Sequence, residues 1–283
     1  MIVFDNIADT RQELERLRCA GKKIGFVPTM GALHQGHLQL LRMAAAQNDV
    51  VVCSIFVNPT QFNNPDDYRL YPRLLEQDME LLKTVQCNIL FAPDAAAMYP
   101  QQSKIKISFG ELESVMEGAH RPGHFSGVAT VVSKLFHVVQ PHRAYFGQKD
   151  LQQYAIIRQM VADLNIPVAL VCHPIVREAD GLAMSSRNRR LTPQQRELAP
   201  QLYQALLQGQ ELLPVQNPEA VKAAVAEHLK HFPDIELEYV EVADAQTLQP
   251  LMPGQAPQEA AICIAAFLGD VRLIDNVVVP VTE

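Results

Sequence analysis

The run Asp49-Val50-Val51-Val52-Cys53-Ser54-Ile55-Phe56-Val57 restricts this chain to few architectures. It is almost continuously apolar and rich in β-branched residues, so a strand there has no face to show to water. Strands of that kind belong to parallel sheets covered on both sides. Shorter runs of the same character follow the pattern at Ile24–Val27, Cys87–Phe91, Arg143–Phe146 and Val168–Cys172. Between them the apolar residues take helical spacing: Leu14 and Leu17 in a charged stretch over 10–20; Leu38, Leu41 and Ala45; Leu74, Leu75, Met79 and Leu82 within 71–85; and the faces of 128–139 and 151–164. Alternating strands and helices predict an α/β fold with a mainly parallel sheet and right-handed crossovers. Lys104–Ser108 reads as an edge or an excursion. After about residue 180 the composition shifts. A polar helical stretch near 193–208, a proline-bearing segment over 213–218, a helix over 218–230 and strands at Glu236–Val242 and Ala260–Phe267 predict a smaller α+β domain. The expected division is 1–179 and 180–283.

Composition narrows the partners. A chain of 283 residues, 48% of them hydrophobic, fills one large core or two modest ones. The net charge of −7 argues against a general grip on nucleic acid. No apolar run is long enough for a membrane span, and Met1-Ile2-Val3-Phe4-Asp5 lacks the basic-then-apolar order of a signal peptide. Five cysteines lie far apart with no C-x-x-C. Cys53, Cys87, Cys172 and Cys263 sit in strand-like runs and read as buried thiols of a reducing cytoplasm.

The chemistry concentrates where strands end. Ile24–Val27 leads into Pro28-Thr29-Met30-Gly31-Ala32-Leu33-His34-Gln35-Gly36-His37, after which helical spacing begins. Strand, glycine-bearing loop and helix is the layout in which α/β enzymes hold a phosphate, because the helix start presents N–H groups and a partial positive charge. His34 and His37 stand at that start and can donate to the same phosphate oxygens; a surface pair or two metal ligands are the plainer readings. The loop carries neither a Walker lysine nor a G-x-G-x-x-G pattern. The strand at 50–57 ends in Asn58-Pro59-Thr60-Gln61, polar groups at the usual ligand crevice of an open sheet, or simple turn chemistry. Arg121-Pro122-Gly123-His124-Phe125-Ser126-Gly127 is a second polar loop whose Arg121 and His124 are either anion contacts or structural. Lys149 stands after the strand at 143–146, followed by Asp150 and Gln153 at a helix start. Asp180–Asn188 places Ser185, Ser186 and Arg187 in a row, donors that suit phosphate oxygens without adding competing negative charge; the plainer reading is a cap or linker.

In order, these motifs are V-P-T-M-G-A-L-H-Q-G-H, V-N-P-T-Q-F, R-P-G-H-F, F-G-Q-K-D-L-Q-Q and M-S-S-R-N, with Leu268–Asn276 near the end. Their succession resembles the pantoate–β-alanine ligase (pantothenate synthetase) family, within the nucleotidyltransferases that carry a HIGH-type signature. The likeness covers essentially the whole chain. Gln148 departs from it, since many relatives carry Glu there, and Ser185-Ser186-Arg187 replaces the lysines of a KMSKS-type loop. The resemblance implies a Rossmann-like, doubly wound sheet with the smaller α+β domain closing over the site. It also implies a two-step reaction. Pantoate's carboxylate attacks the α-phosphate of ATP and expels pyrophosphate; the amine of β-alanine then attacks the pantoyl adenylate and expels AMP.

On that resemblance His37, His34 and Lys149 are the catalytic candidates, with His37 able to donate a proton to the leaving group. ATP binding falls to Met30, Gly31, Ala32, Leu33, His34, Gln35, Gly36, His37, Gly147, Gln148, Lys149, Asp150, Val176, Met184, Ser185, Ser186 and Arg187. Within that set, Asp150 touches the ribose or shapes its loop, and the backbone near Gly147 and Val176 meets the adenosine. Gln61, Gln153 and Met30 take pantoate, and Gln61 also β-alanine. Asn58, Arg121 and His124 remain candidate anion contacts. Mg2+ is expected on the ATP phosphates rather than in a cage of protein side chains, and the family implies a homodimer. Three other classes share parts of this pattern: nucleotidyl transfer onto a phosphorylated acceptor, which needs no amine; a metal-dependent hydrolase built on His34, His37 and His124; and a non-catalytic ATP-binding module.

Overall fold

The structure is a computed structural model in which residues 1–255 and 257–281 are described. In chain order the elements are β1 (Ile2–Phe4), α1 (Ile7–Cys19), β2 (Ile24–Thr29), α2 (Gln35–Gln47), β3 (Val50–Ile55), α3 (Pro65–Leu70), α4 (Leu75–Lys83), β4 (Ile89–Phe91), α5 (Ala95–Met98), α6 (Met116–His120), α7 (His124–Val139), β5 (Arg143–Gly147), α8 (Leu151–Asp163), β6 (Ala169–His173), α9 (Pro193–Leu198), α10 (Gln201–Leu212), α11 (Pro218–Lys230), β7 (Ile235–Asp244), β8 (Glu259–Leu268) and β9 (Val271–Pro280). They form two compact units. The first holds 1–109, 121–147 and 156–174; the second holds 110–120, 148–155 and 175–283.

In the first unit six strands run β1-β4-β3-β2-β5-β6, and every pairing is parallel. This is the Rossmann-like sheet expected from the alternating runs. The chain reverses its direction of travel across the sheet between β2 and β5, the switch point where open α/β sheets take ligands. Alternation along β2 feeds both faces. Val27 packs with Leu38, Leu41 and Leu82 on the α2 side, while the Phe26 ring meets Phe136 of α7 edge-on at 6.4 Å. β3 is buried through Ser54, as a strand covered on both sides must be.

Several boundaries fall elsewhere than the spacing predicts. The helix expected over 71–85 begins only at Leu75, because Pro72 holds Tyr71 extended and separates it from α3. The polar loop at 121–127 gives up its second half: α7 begins at His124 after Gly123 in the left-handed region (φ 80°). The stretch near 193–208 is two helices with Pro200 at the break. Lys104–Ser108 forms no strand. β6 is a sheet edge rather than a buried strand, so Cys172 is only partly buried, whereas Cys53, Cys87 and Cys263 are buried. Among the described residues all five thiols are free, and no helix is long and apolar enough to cross a membrane.

The second unit is built on an antiparallel sheet, β7-β8-β9. Its period of two separates two cores. Ile262, Ile264 and Ala266 of β8 and Val271, Leu273, Val277 and Val279 of β9 pack with α10 and α11. Ala261, Cys263 and Val278 face Met116 and Ala155, from the 110–120 and 148–155 segments.

Candidate active site

The first unit sets the two histidines through a helix cap. His34 is the N-cap of α2, in extended backbone, and its Nδ1 accepts from the Gly36 N–H at 3.2 Å. His37 reaches back, its Nδ1 accepting from the His34 N–H at 3.4 Å, and the two rings lie 4.0 Å apart. A neutral imidazole that accepts at Nδ1 carries its proton on Nε2. The cap therefore makes Nε2 the donor on both rings. No acidic residue stands in the first turn of α2, so nothing within that turn offsets its positive end.

The loop ahead of this cap is held by a residue that the motif reading does not single out. Asp78 of α4 is 1% exposed, and its carboxylate accepts from the N–H groups of Ala32 (2.8 Å) and Leu33 (2.7 Å). Ala32 takes the left-handed region at φ 50° and Gly31 at φ 80°. A Cβ on Gly31 would lie 3.0 Å from Asp78 Oδ2, so glycine leaves room for the carboxylate. Ala32 and Leu33 are fully buried, with N–H groups turned to Asp78. Thr29 adds a second tie, donating to the Ser54 carbonyl and accepting from the Gly31 N–H. Gln35 is exposed and accepts from Arg42 at 3.4 Å.

Beside this loop, β3 delivers a polar knot. Asn58 is fully buried. Its amide donates to Gln61 Oε1 (3.1 Å) and the Gly127 carbonyl (3.2 Å), and its oxygen accepts from Thr60 and from the Tyr99 hydroxyl (2.9 Å). Gln61 is 7% exposed and turns its Nε2 to the Met30 sulfur at 3.1 Å. His124 Nδ1 donates to the Gln61 carbonyl at 2.7 Å, and Arg121 reaches the same carbonyl at 3.4 Å. The first unit thus brings Met30, Asn58, Gln61, Arg121 and His124 together. Gly127 permits this: a Cβ there would lie 2.3 Å from the Thr60 carbonyl oxygen, so α7 approaches the 58–61 backbone only without one.

The remaining candidates belong to the second unit, apart from Gly147, which closes β5. Gln148–Asp150 form a single 3-10 turn, and Gln153 follows, half-buried, in the first turn of α8. Val176 and Met184 lie side by side in a small hairpin: the Met184 N–H donates to the Val176 carbonyl at 3.0 Å, Arg177 bridges Ala183, and Gly181 turns at φ 93°. Ser185 caps the 3-10 helix Ser186–Arg190, its hydroxyl accepting from the Arg187 N–H. Among the described residues no three His, Cys, Asp or Glu side chains are grouped to hold a metal ion.

The chain is similar to known proteins along nearly its whole length. A family model for pantoate–beta-alanine ligases matches residues 2–278. Pantothenate synthetase of Cytophaga hutchinsonii is 48% identical over 284 residues, covering 99% of each chain. That of Aquifex aeolicus is 48% identical over 279 residues, covering 97% of this chain and 98% of the relative. Among solved structures, pantothenate synthetase from Thermus thermophilus superposes with a TM-score of 0.91 at 44% identity, covering 98% of this chain and 99% of the other. The pantoate–β-alanine ligase of Francisella tularensis, solved with β-γ ATP and β-alanine, gives 0.82 at 39% identity, covering 98% and 97%. A parallel sheet with its histidine-capped helix, a second antiparallel unit and an end-to-end match in sequence lead to one assignment: the chain belongs to the pantoate–β-alanine ligase family and is an enzyme of that kind.

Proposed function

We propose that the condensation of pantoate with β-alanine, which this chain carries out with ATP, runs through a pantoyl adenylate. A carboxylate is a poor acyl donor to an amine. Attack of its oxygen on the α-phosphorus breaks the bridging P–O bond to pyrophosphate and turns the carboxyl into a mixed anhydride. The β-alanine nitrogen then attacks the acyl carbon, loses a proton, and AMP departs. The observation that supports this order is the cap of α2: two imidazoles held with Nε2 as donor, at a helix start without an acidic residue. That arrangement suits negative charge growing on the α-phosphate and the leaving pyrophosphate. With its Nδ1 committed as an acceptor the His37 ring is neutral, so it meets that charge with an Nε2–H hydrogen bond rather than a transferred proton, and His34 and Lys149 hold the phosphates.

The nucleotide is taken by Met30–His37, Gly147–Asp150, Val176 and Met184–Arg187, with Asp150 at the ribose. Gln35, exposed beside the cap, joins at its edge. Gln61, Gln153 and Met30 bind pantoate, whose hydroxyl and carboxylate pair with amides without charge repulsion, and Gln61 also meets β-alanine. We assign Asn58, Arg121 and His124 the task of fixing Gln61, the group that their hydrogen bonds converge on. Mg2+ travels with the ATP phosphates, a mode in which that ion keeps much of its water and needs few protein ligands. A homodimer in the cytoplasm completes the reading.

The deciding experiment is pyrophosphate release from ATP, Mg2+ and pantoate. Without β-alanine it should stop after a burst of one turnover per site; with β-alanine it should become steady and match AMP. Steady pyrophosphate release without the amine, or none under either condition from folded protein that binds ATP, would overturn the adenylate. A second expectation concerns Gly127→Ala. Its methyl group must push the 60–61 backbone away, an overpacking worth ~1–3 kcal/mol. Its melting temperature should fall and its KM for pantoate rise. Wild-type values of both would show that Gln61 is not held by this contact.

A further inference from the structure

The last motif of the sequence, Leu268-Gly269-Asp270-Val271-Arg272-Leu273-Ile274-Asp275-Asn276, has no part in the reaction as described so far. It is nevertheless unusual for a strand. Odd positions of β9 face the α10 core and are otherwise apolar, yet Asp275 lies among them at 4% exposed. Even positions face the 110–120 and 148–155 segments, and Asn276 lies there at 3% exposed. Buried polar groups on a strand persist only where partners satisfy them, and here the partners are telling.

Asn276 Nδ2 donates to the backbone carbonyls of Gln148 (3.1 Å) and Lys149 (3.0 Å), and its Oδ1 accepts from the Gln148 side chain at 3.2 Å. One carboxamide thus fixes two successive peptide units of the turn that carries Lys149. On the opposite face Asp275 grips Arg177 with both oxygens, at 2.6 and 2.9 Å. Arg177 also donates to the Gly181 and Asn276 carbonyls and lies over the Tyr203 ring at 3.7 Å. Arg177 is the residue after Val176 and bridges Ala183, so it sets the hairpin whose far strand runs into Met184, Ser185, Ser186 and Arg187. Burial pushes the Asp275 carboxyl above its ordinary range, and the guanidinium works against that rise. Arg272, four residues before Asn276 on its face, is tied elsewhere, to Glu117 and Glu238.

We propose that Asp275 and Asn276 are positioning residues for the adenylation step: adjacent on one strand and facing opposite ways, they hold the Lys149 turn and the Val176–Arg187 hairpin in one fixed relation. The inference rests on the reading that these two segments bind ATP. It also explains Gln148 in its position, since the Gln148 amide is a donor that completes the pairing with Asn276 Oδ1.

The test is steady-state kinetics of pyrophosphate release, with thermal melting of the same proteins. Asn276→Asp is the central variant. It keeps the shape, so a merely packed side chain would tolerate it, but it points a second acceptor at two carbonyls. It should raise KM for ATP or lower the adenylation rate by roughly 10- to 100-fold, the scale of a misplacement near 1 Å, and KM for β-alanine should move little. Asp275→Asn should shift ATP in the same direction. Arg272→Met, on the same strand, should lower the melting temperature and leave KM for ATP unchanged. Lys149→Ala separates the two levels. If it slows pyrophosphate release while Asn276→Asp and Asp275→Asn lose only thermal stability, the positioning role is overturned and the ATP assignment stands. If Lys149→Ala turns over like the wild type, the ATP assignment fails and the positioning role falls with it.

Discussion

His37→Gln should lower the single-turnover rate of pyrophosphate release by ~10²–10³-fold, the usual loss when one preorganised donor to developing charge is removed. Glutamine isolates the imidazole from the fold. The His34–His37 pair is a capping box, in which the third helical residue accepts from the N–H of the cap. Glutamine is a standard occupant of that position and can accept there through its carbonyl oxygen. The melting temperature should therefore stay near that of the wild type. The amide still offers an N–H to the phosphate, but on a flexible side chain without the fixed Nε2–H direction of the capped ring, so binding of ATP should suffer less than the rate. A drop in kcat with KM little changed identifies a contact made mainly in the transition state. His34→Asn is the companion variant, because asparagine is itself a good N-cap. It should keep the helix start and lose the second donor. A folded His37→Gln protein that releases pyrophosphate at the wild-type rate would remove His37 from the chemistry.

The histidine cap is readable in the sequence because its signals are local. An apolar run, a glycine, two histidines and renewed helical spacing occur within about fifteen residues, and each acts on its neighbours through backbone geometry. The parallel sheet is readable for the same reason, since a strand buried on both faces shows it in its own composition. What the sequence hides is set by distant partners. Asn58 looks like a turn residue, but its environment comes from Gly127 and Tyr99, 69 and 41 positions away. The segment 110–120 carries no mark of its membership in the second unit. Arg272, 155 positions beyond Glu117, binds it there, and Tyr239 donates to the same carboxylate. β1 and β6 are sheet edges; β1 is too short to build a pattern, and β6 reads as buried because its apolar residues are consecutive, although at the edge it is only partly covered. β9 carries Arg272 on one face and Asp275 on the other, which breaks the period by which a buried strand is read.

Asp78 shows how far such a distant partner can control the site. In the sequence it is one of several acids in a surface-like helical stretch. In the structure Asp78→Ala should be among the most damaging single changes to the first unit. It leaves the N–H groups of Ala32 and Leu33 without their carboxylate in a region with no water access, and each buried donor left unpaired costs ~1–3 kcal/mol. The left-handed backbone at Ala32 adds to this. An L-residue holds φ 50° against a cost of roughly 1–2 kcal/mol only while its surroundings require it. Released from Asp78, the 31–33 backbone is free to relax toward extended geometry, and His34, the next residue, moves with it. Both stability and adenylation should therefore fall. Amide exchange should quicken at Ala32 and Leu33 before it does in β2, because the strand keeps its own ladder to β3. Asp78→Asn should restore less than half of the loss: one oxygen still accepts, but the amide turns a donor toward the second N–H. If Asp78→Ala exchanges and turns over like the wild type, the loop is set by Gly31 and Thr29 alone. If the slow exchange of Ala32 and Leu33 disappears with the activity, the geometry of the two histidines depends on a carboxylate more than forty residues away in the chain.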